Sequence, residues 1–177
     1  MSVIYRYLMI IVACVSLLIG LQVPSFVDQY QKRVDAHLRE VIVNLQPFVE
    51  IATKYFDGDM EKLLALHRNS EALPFKEEGK AIEQMLQRKT HFEAELSALN
   101  TDLAHRALHV LLHSDQQLRE EALAQYSYTV PLNQDALLFG AGAALVSLLL
   151  VELLLALLRI LISLLLSLLR RTTTGSR

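Results

Sequence analysis

From Ala136 to Leu169 the chain runs through leucine and other apolar residues, and only Glu152 and Arg159 bring charge into the run. As one helix, rising 1.5 Å per residue, this stretch would be roughly 50 Å long, against about 30 Å of hydrocarbon in a bilayer. After Gly142 no turn residue interrupts it, so two spans do not fit. One span over about residues 137–158 is expected, with Asn133 or Asp135 capping its start and Pro131 marking the break before it. Arg159 then sits at an interface where a long side chain can snorkel, and the rest continues as helix in the interface or against a partner.

A second apolar run, Tyr7 to Val27, has Gln22 as its one strongly polar side chain, Arg6 before it and Asp28 after it. That pattern reads as a signal anchor with its N-terminus inside. Val23-Pro24-Ser25 is a passable cleavage site, but no Ala-x-Ala stands there. Ile11 to Cys14 has the form of a lipobox, but the apolar run continues well past Cys14, which reads instead as a small apolar residue within a span.

Charge follows the same division. Between Asp28 and Asp135 lie 18 acidic and 12 basic side chains, whereas outside them Glu152 faces five arginines. The split predicts both ends in the cytoplasm and the acidic middle outside. An acidic soluble part argues against nucleic acid, which needs a basic stripe. The single cysteine excludes an internal disulfide framework and a Cys/His zinc knuckle. The sequence has no Gly-rich phosphate loop, GxSxG or HExxH, so neither an enzyme nor a cofactor is expected.

The middle reads as helical. Val27, Tyr30, Val34, Leu38, Val41, Leu45, Phe48, Ala52 and Tyr55 recur at alternating spacings of three and four. This is a heptad-like stripe of one long helix that rises from the first span, kinked at Pro47. Asp57-Gly58-Asp59 ends it, and a short helix follows over about 60–68. Asn69 to Phe75 reads as loop with Pro74 as breaker, then helices run over about 77–99 and 102–126, and 128–132 is extended. The expected fold is all-α: a signal anchor over 1–27, an antiparallel periplasmic helical bundle over 28–132, a second transmembrane helix over 133–159, and a leucine-rich extension with a basic tail over 160–177.

Two constellations are candidate sites. His105, His109 and His113 recur every four residues, so they share one helical face, as two imidazoles on one metal would. The opposite arc carries Leu99, Leu103, Ala107, Val110 and Leu111, so the histidines read first as the polar face of an amphipathic helix, then as a metal site or a pH-responsive surface. His37, His67 and His91 lie apart and carry no signal of their own. In the second run Glu152, Arg159, Ser163, Ser167 and Arg170 fall on one stripe at 100° per residue. It reads as a helix-packing stripe ahead of a proton or ion site. Ser16 with Gly20, and Ala136, Gly140 and Ala144, form small-xxx-small patterns that suit close packing of the two spans or a homodimer.

The segments from Gly20 to Glu40 and from Val130 to Leu145 resemble a family of small two-span proteobacterial inner-membrane proteins of unknown function. The resemblance implies a Gram-negative inner membrane and a periplasmic helical domain, and it transfers no catalytic residue. The leading functional expectation is a non-enzymatic scaffolding protein that pairs helices with itself or with another envelope protein. A ligand-sensing helical module and an accessory transporter subunit using Glu152 are the alternatives. Against a sensor stands the short tail after Arg171, which holds no output domain.

Overall fold

In the computed structural model, residues 3–127 and 133–174 are described, with side chains as far as Leu164. Six helices account for them: α1 Val3–Phe56, α2 Met60–Arg68, α3 Leu73–Ala98, α4 Leu103–Leu112, α5 Gln116–Ala124 and α6 Gln134–Thr174. No strand occurs among the described residues, so the chain is all-α. The extended segment expected over 128–132 lies outside them. The helices form two compact units, residues 1–25 with 128–177, and residues 26–127.

The first unit pairs the two apolar runs. Both α1 and α6 are long and apolar enough to cross a membrane. They meet at glycine: a Cβ on Gly20 would lie 2.7 Å from the Ala143 Cβ and 2.8 Å from the Gly140 Cα. One on Gly140 would lie 2.9 Å from the Leu21 side chain. Ala136 is buried on the same α6 face, and Ala144 and Ser147 are half-buried there. The small-residue pattern thus lies in the contact between the two apolar helices. Asn133 caps α6 by accepting from the Ala136 N–H at 2.8 Å. The helix continues unbroken through 160–174, as the absence of turn residues requires.

In the second unit α1 buries its stripe against the other helices. Val27, Tyr30, Val34, Val41, Leu45 and Ala52 are all buried, Leu38 and Phe48 are partly so, and only Tyr55 is exposed. The stripe is covered by the chain's own helices. The helix runs through Pro24 and Pro47 without ending, although each proline removes one backbone hydrogen bond. It stops where Asp57 and Gly58 both take positive φ, 54° and 82°, and the Gly58 N–H returns to the Ala52 carbonyl. The Asp59 carboxylate then caps α2. α2 lies close on α3 because Gly79 has no side chain: a Cβ there would stand 2.7 Å from the Cβ of His67.

Two boundaries differ from the sequence reading. Pro74 opens α3 and does not break the chain, because a proline in the first helical turn gives up an N–H that has no partner anyway. The single helix expected over 102–126 is two, α4 and α5. The Asp115 carboxylate accepts from the Leu118 N–H at 3.0 Å and starts a new helix.

The glycine contact gives a signed comparison. Gly140→Ala forces α1 and α6 apart and should cost about 1–3 kcal/mol. Gly142, two residues on, has nothing within 4 Å of a Cβ, so Gly142→Ala should be neutral or stabilising by up to about 1 kcal/mol. Thermal melts of both variants in mild detergent check the difference, and equal melting temperatures would refute the contact.

Candidate functional site

The densest polar cluster in the second unit is buried, and it collects side chains from α1, α3 and α4 at the turn that leads into α5. Tyr30 reaches it from the α1 stripe and is wholly buried. Its hydroxyl donates to Glu95 Oε1 at 2.5 Å and accepts from the Asp115 N–H at 3.0 Å. Glu95 comes from α3, is 8% exposed, and takes His109 Nε2 on the same oxygen at 2.9 Å. Asp115 in turn holds His91 Nε2 at 3.1 Å. A second group lies on α1 and α5: His37 Nε2 meets Glu121 Oε2 at 2.7 Å, Arg33 stands 3.9 Å from the same oxygen, and Arg33 also donates to Gln125.

The electrostatics follow from these partners. Burial, then the hydrogen bond to Glu95, pushes the Tyr30 hydroxyl well above its ordinary value. It therefore stays a phenol and a donor, and cannot serve as a base near neutrality. For Asp115 burial is the largest single influence and acts upward. The Leu118 N–H and His91 outweigh it, and the carboxyl ends below its usual range. Glu121 is lowered chiefly by the hydrogen bond from His37. Asp102 is lowered chiefly by the His105 backbone N–H and then by the His105 ring.

The three spaced histidines part company. His105 bonds to Asp102, the cap of its own helix, and stays exposed. His109 turns inward to Glu95. His113 follows the end of α4 and stacks on His109, ring centroids 6.2 Å apart. Among the described residues no group of three or more His, Cys, Asp or Glu side chains is placed to hold a metal. His105 and His113 are exposed as a polar face would be, and His109 departs from it. Arg106 and His109 point toward the bundle, whereas Leu108, Leu111 and Leu112 are exposed. Glu95 and Gln31 offer partners to the two polar side chains, and of the apolar arc Leu99 and Val110 are buried, Leu103 and Ala107 half-buried and Leu111 exposed.

Sequence reasoning passed over Glu95, Tyr30 as a polar anchor, His37 and His91. Their partners lie 14 to 85 residues away along the chain, so no local spacing signals them. His67, buried on α2, donates through its Nδ1–H to the Leu63 carbonyl at 2.8 Å and faces Glu78 at 3.4 Å. In α6, Glu152, Arg159 and Ser163 are exposed, and the Ser163 hydroxyl donates to the Ile160 carbonyl at 2.8 Å. The side chains of Ser167 and Arg170 lie outside the described residues. An open polar groove lies elsewhere in the second unit, lined by Asp28, Gln31, Asp35, Glu93, Asn100 and Arg106. The Arg106 Nε is buried there and has no hydrogen-bond partner among the described residues.

Two outcomes test the cluster in the full chain in detergent. Tyr30→Phe leaves Glu95 and the Asp115 N–H each short of a partner and should cost about 1–3 kcal/mol in urea denaturation. The lowered carboxyls of Asp115 and Glu121 give stability that is present above their unfolded values and is lost as pH falls through the folded ones. Melting temperature should therefore drop below the ordinary carboxylate range, and Glu121→Gln should flatten that drop. An unchanged acid limb in that variant would remove Glu121 from the account.

No curated protein and no solved structure matches the chain. Residues 4–163 match the family described as DUF2937, protein of unknown function, and the chain belongs to that family.

Proposed function

We propose that this chain is a non-enzymatic inner-membrane protein that holds a periplasmic helical domain at the membrane and associates, through α6, with a second copy or another envelope protein. Both termini lie in the cytoplasm in this reading, which the acidic middle and the arginines outside it support. The apolar surface of α6 supports the membrane placement. None of its most apolar window is buried inside the chain, and between Leu145 and Leu164 the leucines other than Leu148 and Leu155 stand about half exposed or more. Water would not tolerate so large an apolar surface, whereas lipid would.

The observation that carries association is Glu152. It is exposed, and it lies off the face of small residues with which α6 meets α1. A charged group in a span faces protein or water in nearly every case, and this chain offers Glu152 no partner among the described residues. A neighbouring span supplies one in the proposed assembly. The buried stripe of α1 takes that helix's main apolar face out of play, so pairing falls to α6. An accessory transporter role would use the same carboxylate. A ligand-sensing role has its own support in the polar groove that holds the unpartnered Arg106 Nε.

The test is a two-span association assay in membranes on three versions of the chain. Glu152→Leu should weaken association, by about 0.6 kcal/mol and at most about 1.7. Glu152→Gln should keep most of it, since an amide still hydrogen-bonds. Full association of the leucine version would end the packing role, and a glutamine version that associates yet fails in the cell would favour the proton-site reading.

A further inference from the structure

In the unit that pairs α1 with α6, burial fixes how the two helices are aligned. Along α1 the buried and half-buried residues recur at spacings of three and four from Tyr5 to Gly20. Along α6 they run from Ala136 to Leu155, and every described residue past Leu155 is exposed. Gly20 meets α6 between Gly140 and Ala143. Laid antiparallel from that contact, the two stripes end together, with Tyr5 at about the level of Leu155.

This register places two opposite charges at one depth. Arg6 lies about 21 Å of helical rise from Gly20, and Glu152 lies about 13.5 Å from Ala143 and about 18 Å from Gly140, so the two stand within about 3–7.5 Å of one level. Both are exposed, and among the described residues neither is in an ion pair. At 100° per residue Arg6 is turned about 70° from the middle of its stripe and Glu152 about 110°, in the same sense seen from each helix N-terminus. In an antiparallel pair that sense brings both to one side. One face of the pair thus shows a guanidinium on α1 and a carboxylate on α6, level with each other and unpaired.

We propose that the partner Glu152 meets is Arg6 of a second copy, in a two-fold dimer whose axis runs along the membrane normal. This dimer rests on the membrane placement and the α6 association proposed above, and it names their occupant. A second copy crosses the same membrane in the same orientation, so its charges stand at the same depths. A two-fold axis beside the charged face turns the α1 of one copy toward the α6 of the other, and the contact is made twice, Arg6 on Glu152 and Glu152 on Arg6. Each charge gains a partner that lipid does not offer. Arg159 is about 10.5 Å of rise from Glu152, so the same operation leaves it farther off than Arg6.

The experiment measures self-association of the full chain in vesicles of phosphatidylethanolamine and phosphatidylglycerol, by energy transfer between fluorescently tagged copies. Arg6→Gln and Glu152→Leu should each weaken it about three-fold or more, and Arg159→Gln should leave it nearly unchanged. Chains with Arg6→Glu and chains with Glu152→Arg should each fail to associate alone and should associate when mixed, because both pairs across the axis re-form with reversed sign. A pair closed within one chain would not be restored by mixing, and that result would overturn the proposal. Since Arg6→Glu also alters the charge that orients the first span, a second measurement stands beside the swap. Copies with Arg6→Cys and copies with Glu152→Cys, all carrying Cys14→Ala, should cross-link to each other through a short bifunctional thiol reagent. If Glu152→Leu weakens association while Arg6→Gln does not and no such cross-link forms, another group meets Glu152: the α6 association stands and the dimer falls. If Glu152→Leu changes nothing, the association fails and takes the dimer with it.

Discussion

The Tyr30 hydroxyl makes two hydrogen bonds that between them tie three helices and a turn. It donates to Glu95 of α3 and accepts from the backbone N–H of Asp115, the residue that ends the α4 turn and caps α5. Glu95 then binds His109 of α4. Each group is buried or nearly so, and a buried polar atom left unpaired costs more than a made bond contributes. The cluster therefore works mainly as a selector. Slide α1 by one turn, or rotate α4 to bury its leucines, and Glu95 loses both donors inside a core of Val27, Val34, Leu99 and Leu118. Apolar contacts alone would accept several such rearrangements, and the polar cluster accepts one.

The parts of the fold legible in the sequence are those governed by local periodicity and local capping. The stripe from Val27 to Ala52 was readable because α1 packs along nearly its whole second half, so a spacing of three and four persists over many turns. The stop at Asp57-Gly58-Asp59 was readable because its chemistry is contained in three residues. The break between α4 and α5 was missed, although Ser114-Asp115-Gln116 carries a capping residue, since the apolar residues on either side hide it. The histidines were legible only in part. Sorting residues 99–113 into arcs places Leu99 and Val110 inward and His105 and His113 outward, as found, but Arg106 and His109 sit at the edge of the inner face, where Gln31 and Glu95 receive them. Those two partners lie outside residues 103–112, so no local pattern signals them.

The two units use different physics for the same task of holding helices together. In the second, apolar burial supplies the attraction, at about 25 cal/mol per Å², and polar bonds choose the arrangement. If α1 and α6 cross lipid, as proposed, their leucines gain nothing from meeting one another, because the surrounding tails are as apolar as they are. Attraction must then come from close approach, which explains why the contact is built on Gly20, Gly140 and Ala143, with Leu17 and Leu21 of α1 seated against Gly140. It also explains why a small-residue pattern, a weak signal in any one sequence, marked the contact here: it was the one available means.

That same physics separates the roles of the two faces of α6. The small-residue face is consumed by α1, and a carboxylate placed there would have to give up its solvation against a glycine backbone that offers it no donor. Glu152 lies instead on the arc with Arg159 and Ser163, turned from α1 and flanked by leucines. A carboxylate among leucines costs roughly 2.5–3.5 kcal/mol to insert on the more lenient scale, and nothing in α1 returns that energy. Packing among the described residues therefore does not account for Glu152, whereas it does account for the small-residue face. The proposed assembly starts from this asymmetry: one face of α6 meets α1, and in the proposal the other meets a neighbour.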